Sequence, residues 1–556
     1  MDTPTSDLFL AKNEDMSKKK KSLDLKAIES KEENVKEITH FDYKYQDALC
    51  IPLILDLISQ FIDIDDKKHL SFCNKKLYQL YCRQIRKIKI NKIKHKIKIQ
   101  KLFNKYQNIN RLDLGKLYEL ESISFLGIIK NIIELNLFGC EKIKDFSPIS
   151  YCEKLEILNL GETRISDISF LRKNENIKEL NLSRCRSIED FSPISYCKKL
   201  EKLNLSSTNI SNLSFLEENN KNIKELNLYW CSEIKNILPI SFCEKLEKLN
   251  IFDSDYKDIS FLKNNKNIIE LKLGYQNFSE EFISKFGKLE VLYFQRVDNI
   301  SFLAKLKNIK ELKFDSSDIK DFSPISKLEK LENISSNFSD ISFLEKNKNI
   351  KQICIDGCWS LRNGSPISNF KKLEILKLRK TSIADISFLE KTKNIKELQL
   401  NEMDSIKDFT PITNLQKLEK LSLSQTNVGD ISFLKNIKNI KELRLHTCLD
   451  IKDFSPISIC DKLESLDIGN VRISDISFLE KNKNIKILKL DDDDFIKDYT
   501  PISTLYMLEE LVLSYSNIKD ISFLEKNENI KKVEIRCCKI NKNNKIFQRK
   551  DIKFIY

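Results

Sequence analysis

The sequence predicts an α/β repeat solenoid, a stack of short parallel strands and return turns preceded by a small helical module. Two observations carry that prediction. A Leu-x-Leu core recurs at Leu112, Leu135, Leu158, Leu180, Leu203, Leu226, Leu249 and Leu271, and again at Leu376, Leu398, Leu421, Leu443, Leu466, Leu488 and Leu511, in steps of 22 or 23 residues. Each core follows Asn-Ile-Lys-Glu or Lys-Leu-Glu-Lys, and the two unit types alternate. Alternate residues of a strand face opposite sides, so Leu180 and Leu182 point inward and Asn181 outward. One such strand cannot bury itself, but stacked units share one continuous core, and a 556-residue chain then needs no division into separate cores.

The return half of each unit reads Asp-Ile-Ser-Phe-Leu, as at 167–171, or Asp-Phe-Ser-Pro-Ile, as at 145–149. That spacing predicts a short helical or 3₁₀ turn capped by Asp or Ser. Between Leu271 and Leu331 the steps shrink to 21, 20 and 19 residues, and Asn333 stands where a second strand Leu is expected. A deformed stack is predicted there, from decay of the repeat or from a gap shaped for a partner.

The period and the pattern Leu-x-x-Leu-x-Leu-x-x-(Cys/Thr)-x-(x)-Ile resemble the leucine-rich-repeat family. The resemblance implies a curved horseshoe with its parallel β-sheet on the concave face. About twenty repeats are expected over 86–538, with a C-terminal cap or tail at 539–556. Five positions after the first Leu, Cys140, Cys185, Cys231, Cys358 and Cys448 alternate with Thr163, Thr208, Thr381 and Thr426. The resemblance places these side chains in the turn, satisfying backbone amides. Cys152, Cys197, Cys243 and Cys460 form a second column. Equivalent cysteines lie two strands apart, roughly 9–10 Å, too far to share a zinc ion, so both columns are read as buried reduced thiols.

Residues 1–40 are rich in Lys, Glu, Asp and Ser, without apolar periodicity, and are expected to be a disordered tail. Residues 41–85 differ. Pro52 suits a helix start, and Leu70, Cys73, Leu77 and Leu80 line one helical face. The string from Ile51 to Tyr81 resembles the F-box, with Ile51 where the family has Leu and Leu53-Ile54 replacing its acidic pair. The resemblance implies that Ile51, Pro52, Leu55, Ile58, Phe61, Leu70 and Leu77 contact a Skp-type adaptor. The chain would then be a substrate receptor of an SCF-type ubiquitin ligase, its repeats binding the target. The other reading is a helical cap over the first repeat of a stand-alone scaffold, comparable to leucine-rich-repeat regulators of phosphatases.

At 83–105, Ile alternates with Lys or Arg. Period-two alternation predicts a strand, and Arg86–Ile90 lies nearly one period before Leu112, as a lysine-rich edge would. The net charge of +13, from 95 basic and 82 acidic residues, is diffuse and favours solubility. Nucleic acid and membrane are therefore not expected as partners. The sequence has no apolar run of membrane-spanning length and its N-terminus is polar, so a reducing cytoplasmic or nuclear location is expected. The four His stand at no recognisable catalytic spacing, and no enzyme, cofactor or metal site is expected. The target is expected on the exposed strand positions, at Phe138, Tyr229, Trp230, Phe252, Tyr275, Tyr293 and Arg296, alongside a row of Asn from Asn136 to Asn250. In the second half the same positions carry Lys377, Arg379, Arg444, His446, Asp491, Asp492 and Tyr515, a more charged surface.

Overall fold

The structure is a computed structural model that describes residues 87–89 and 108–556, apart from 219–220, 254–257, 275–279, 296, 298, 316–318, 541–544 and 550. The tail and the F-box-like segment lie outside the described residues. The chain forms two units, Met1–Ile157 and Leu158–Tyr556.

In the first unit Lys87–Lys89 pairs in parallel with Arg111–Asp113, which pairs with Glu134–Asn136. In the second unit the strands also pair in parallel and in sequence order, with the first Leu of each opposite the first Leu of the next, as in Leu180↔Leu203, Leu203↔Leu226 and Leu226↔Leu249. Most strands are three residues long, because only the residues flanking the first Leu run straight before the chain turns. The return segments are 3₁₀ turns, such as Ser169–Lys173 and Ser192–Tyr196. The residue two before the first turn N–H caps it, an Asp in most units: Asp167 Oδ1 accepts the Ser169 N–H at 2.7 Å and Asp190 Oδ1 that of Ser192 at 2.8 Å, while Asn236, Asn299 and Asn363 do the same in theirs. Accepting hydrogen bonds from Ser192 holds the Asp190 carboxyl below its ordinary range. The last strand, Lys553–Ile555, pairs with Lys532–Glu534, so the stack extends past residue 539.

The tertiary structure gives a physical reason for the two alternating unit types. One type places Lys then Glu ahead of its first Leu, the other Glu then Lys. In register, opposite charges therefore face each other in both columns. Lys202 meets Glu179 at 2.8 Å, Lys224 meets Glu201 at 2.7 Å and Lys248 meets Glu225 at 3.1 Å. The pattern recurs at Lys396–Glu374, Lys441–Glu419 and Lys486–Glu464. Each pair is solvated and weak. A shift by one unit would oppose like charges wherever the Lys-Glu and Glu-Lys units alternate, as from Lys178 to Lys248, so there the columns favour the native register over its neighbours. Lys224→Glu is expected to lower the melting temperature at low salt, and Glu201→Lys in the same chain to recover part of the loss. Strong salt should shrink both effects, and a salt-independent loss would contradict this assignment.

The Cys/Thr ladder is buried, as expected. Backbone amides face its sulfurs, that of Thr163 toward Cys185 and that of Thr208 toward Cys231, and the side chains also donate to carbonyls. Thr163 Oγ1 donates to Leu160 O at 2.7 Å and Cys185 Sγ to the same oxygen at 3.1 Å. Thr208 and Cys231 converge likewise on Leu205 O, and Thr426 and Cys448 on Leu423 O. The first residue after the strand leaves its carbonyl pointing into the stack, and two neighbouring units supply one donor each to its two lone pairs. All cysteines among the described residues are free thiols. Burial pushes Cys152, Cys197 and Cys243 up to about 12, which leaves them protonated and unreactive.

The irregular middle is a correction to the sequence expectation. Pairing places Ile334, not Leu331, opposite Leu312, and Ile353 opposite Ile334. Asn333 therefore precedes the core position, and buried Ser336 occupies the second apolar site. The register is unbroken. Aromatic rings take up the lost Leu volume: Phe294 stacks on Phe314 at 5.0 Å, and Phe338 packs edge-on against Phe314, Phe322 and Phe343 at 5.2–5.6 Å between centroids.

Candidate partner-binding face

The residue after each first Leu and the two that open the turn decide what the sheet shows to solvent. The Asn row proves structural rather than freely exposed. Asn181, Asn204, Asn227 and Asn250 are half-buried. Each Oδ1 accepts the N–H two residues on, as in Tyr229 N–H to Asn227 at 3.0 Å and Phe252 N–H to Asn250 at 3.1 Å. Asn181 Nδ2 also reaches Asn159 Oδ1 at 3.0 Å. The Asn side chain thus closes the turn that presents the next residues.

Four positions after the first Leu, the backbone turns left-handed in unit after unit, at Arg184, Ser207, Trp230, Asp253, Gln425 and Tyr515, with glycine there only at Gly139 and Gly357. At φ 59° Trp230 is held in a region that costs an L-residue about 1–2 kcal/mol. The residue is 58% exposed.

Among the expected partner-binding residues, three are brought together. Tyr229 stacks on Trp230 with centroids 6.2 Å apart, and Phe252 on the next strand lies 6.2 Å from Tyr229. Burial pushes the Asp253 carboxyl up, and the neighbouring Tyr229 side chain partly offsets this. Tyr293 stands apart from them. It lies between Lys272 and Lys313, 4.8 and 5.7 Å from its ring centre, and its hydroxyl is bonded to Glu311, so burial and that bond hold it protonated. Phe138, half-buried, belongs to the first unit. Tyr275 and Arg296 lie outside the described residues, as do the seven adaptor-contact residues.

The charged half of the face is largely self-paired. Lys377 meets Glu397 at 2.8 Å, Arg379 bridges Asp356 and Glu402 at 3.2 and 2.6 Å, and Arg444 pairs with Glu442. Among the described residues, one group of side chains brings metal-type donors together: His446, Asp467 and Asp491 on three successive strands, with ligand atoms mutually within 4.8 Å. No helix among these residues is long and apolar enough to cross a membrane.

Residues 153–196 match the family model for leucine rich repeats in two copies. No curated protein matches the sequence. Among solved structures, a leucine-rich-repeat protein of Leptospira interrogans is 18% identical and covers 77% of this chain and 96% of its own, with a TM-score of 0.39. An internalin from Listeria monocytogenes is 21% identical, covering 58% of this chain and 83% of its own at a TM-score of 0.36. The repeat ectodomain of a plant membrane receptor kinase from Arabidopsis thaliana is 13% identical, covering 84% and 80% at 0.37. The family match identifies the two units at 153–196 as leucine-rich repeats.

Proposed function

We propose that this chain is a protein-binding scaffold that captures a protein partner at Tyr229, Trp230 and Phe252. The observation that supports this most strongly is a Trp and a Tyr stacked and exposed beside a Phe, on turns locked by the Asn227 and Asn250 side chains. A protein surface seldom leaves aromatic area together in the open, and a preordered cluster loses little entropy on binding. In the finer reading, the F-box-like segment at 41–85 engages a Skp-type adaptor and the chain is a substrate receptor of an SCF-type ubiquitin ligase. Chemistry then occurs on a partner enzyme, in a reducing intracellular compartment. The resemblance from Ile51 to Tyr81 supports that finer role.

Two pulldowns test the halves separately. A purified Skp-type adaptor is expected to retain the chain, and Pro52→Ala with Leu55→Ala to abolish retention; no retention of the intact chain removes the receptor role and leaves the stand-alone scaffold. For the face, proteins crosslinked to the intact chain are compared with those crosslinked to Tyr229→Ala/Trp230→Gly. Glycine relieves the left-handed turn, so the fold is preserved. A captured protein is expected to lose about 2 kcal/mol, roughly thirtyfold in affinity. Identical capture by both chains would refute this site.

A further inference from the structure

On the sheet face near the C-terminal end, His446, Asp467 and Asp491 come from three successive strands, at the third, first and third positions after Leu443, Leu466 and Leu488. His446 Nδ1 lies 3.6 Å from Asp467 Oδ1. The intervening strand has Gly469 at the position where its neighbours carry His446 and Asp491. A Cβ built there would sit 2.9 Å from His446 Nδ1 and 2.9 Å from Asp491 Oδ1. The missing side chain therefore leaves an atom-sized space bordered by two donor atoms, with the Asp467 carboxylate alongside. We propose that His446, Asp467 and Asp491 bind one divalent transition-metal ion of the zinc or cobalt class in the space left by Gly469.

The donor chemistry selects the ion. One imidazole nitrogen and two carboxylates suit Zn²⁺ or Co²⁺, whereas Mg²⁺ and Ca²⁺ prefer oxygen alone. Ligand bonds of about 2.0–2.2 Å need donors somewhat closer than the observed limit, a contraction that side-chain rotation of two half-buried carboxylates supplies. Because only three protein donors converge, the remaining coordination positions would be left to water or to a carboxylate of a bound partner.

The surrounding charges agree with this reading. Asp492 adds negative charge beside the site. The nearby cations are Lys489, 3.6 Å from Asp467 Oδ2, and Arg444, already paired with Glu442. Lys489 is two-fifths exposed and swings away at small cost. Without metal, the neighbouring Asp467 carboxylate raises the His446 pKa, while burial pushes the Asp491 carboxyl up. Metal binding must displace the proton from His446, so affinity should rise with pH through the His446 titration and each ion bound should release protons.

The test titrates the full chain with CoCl₂ and ZnCl₂ under reducing conditions, following Co²⁺ ligand-field absorption and calorimetric heat. One ion per chain is expected at this site, with no comparable binding of MgCl₂. His446→Ala and Asp491→Asn should each weaken it by at least about tenfold. Gly469→Ala, which fills the space, should do the same with the parent circular dichroism spectrum. Cys537→Ser, which removes an exposed thiol elsewhere, should bind as the parent does. Absence of Co²⁺ and Zn²⁺ uptake, or unchanged uptake by both His446→Ala and Asp491→Asn, overturns the assignment.

Discussion

Replacing Phe338 with alanine is expected to destabilise the second unit by about 3–5 kcal/mol, measured by urea unfolding. The ring is fully buried and is held by Phe314, Phe322 and Phe343. Here the units are shortened and Ser336 replaces an apolar strand residue, so Phe338 fills volume that two leucines fill elsewhere. Removing it leaves a cavity in a stretch with few spare side chains to collapse into it. Because each repeat touches only its neighbours, the loss should be concentrated near the strands around Leu312, Ile334 and Ile353. Hydrogen exchange should accelerate there first, with the amides near Leu180 and Leu203 far less affected. A loss below about 1 kcal/mol, or exchange that rises evenly along the array, would show that the aromatic cluster does not carry the middle of the stack.

The second large effect is expected at Asn482. Its side chain is fully buried, and Nδ2 donates to both Ile457 O and Cys460 O at 3.0 Å. These carbonyls end the 3₁₀ turn of the preceding unit. Asn265, Asn347 and Asn527 do the same one unit away from Cys243, Leu328 and Leu505. Asn482→Leu keeps the volume but removes both donors, leaving Ile457 O with only the Cys460 N–H and Cys460 O with only the Leu463 N–H, and should cost about 1–3 kcal/mol for the two lost bonds. Asn482→Ala should cost at least as much, since it adds a cavity. Thermal unfolding of the pair separates the two contributions. If the Leu variant is as stable as the parent, the carbonyls find other donors and the column is only filler. Among the described residues, the Oδ1 atoms of Asn265, Asn347, Asn482 and Asn527 have no hydrogen-bond partner, an energetic cost that the two strong Nδ2 bonds must offset.

Much of the architecture was legible because it is written many times. The 22- and 23-residue steps, the inward Leu pairs, the 3₁₀ return turns and the buried Cys/Thr ladder all follow from local periodicity. The early strand is visible too, since Lys87–Lys89 pairs with Arg111–Asp113. What failed did so where one copy departs from the rest. Leu331 looked like the strand Leu of its unit, yet Ile334 carries that position, because pairing with Leu312 and Ile353 outweighs a local match to the motif.

The candidate sites show the same division. Tyr229, Trp230 and Phe252 could be placed on the sheet face by counting positions from Leu226 and Leu249. That Tyr293 is instead confined by Lys272, Lys313 and Glu311 depends on its neighbours' side chains. His446, Asp467 and Asp491 are 21 and 24 residues apart, spacings that match no local metal motif. Only aligned strands bring them to one place, and only the space at Gly469 makes that place more than a surface ion pair.

By itself, then, the sequence determined the repeat, which side chains go inside, and which positions lie on the open face, because these follow from the alternation of a strand and from the inability of one strand to bury itself. The tertiary structure decided which carbonyl each ladder residue serves, why Lys-Glu and Glu-Lys units alternate, and which exposed residues meet. Those are properties of neighbouring strands in register, and register is fixed by the whole stack rather than by any one repeat.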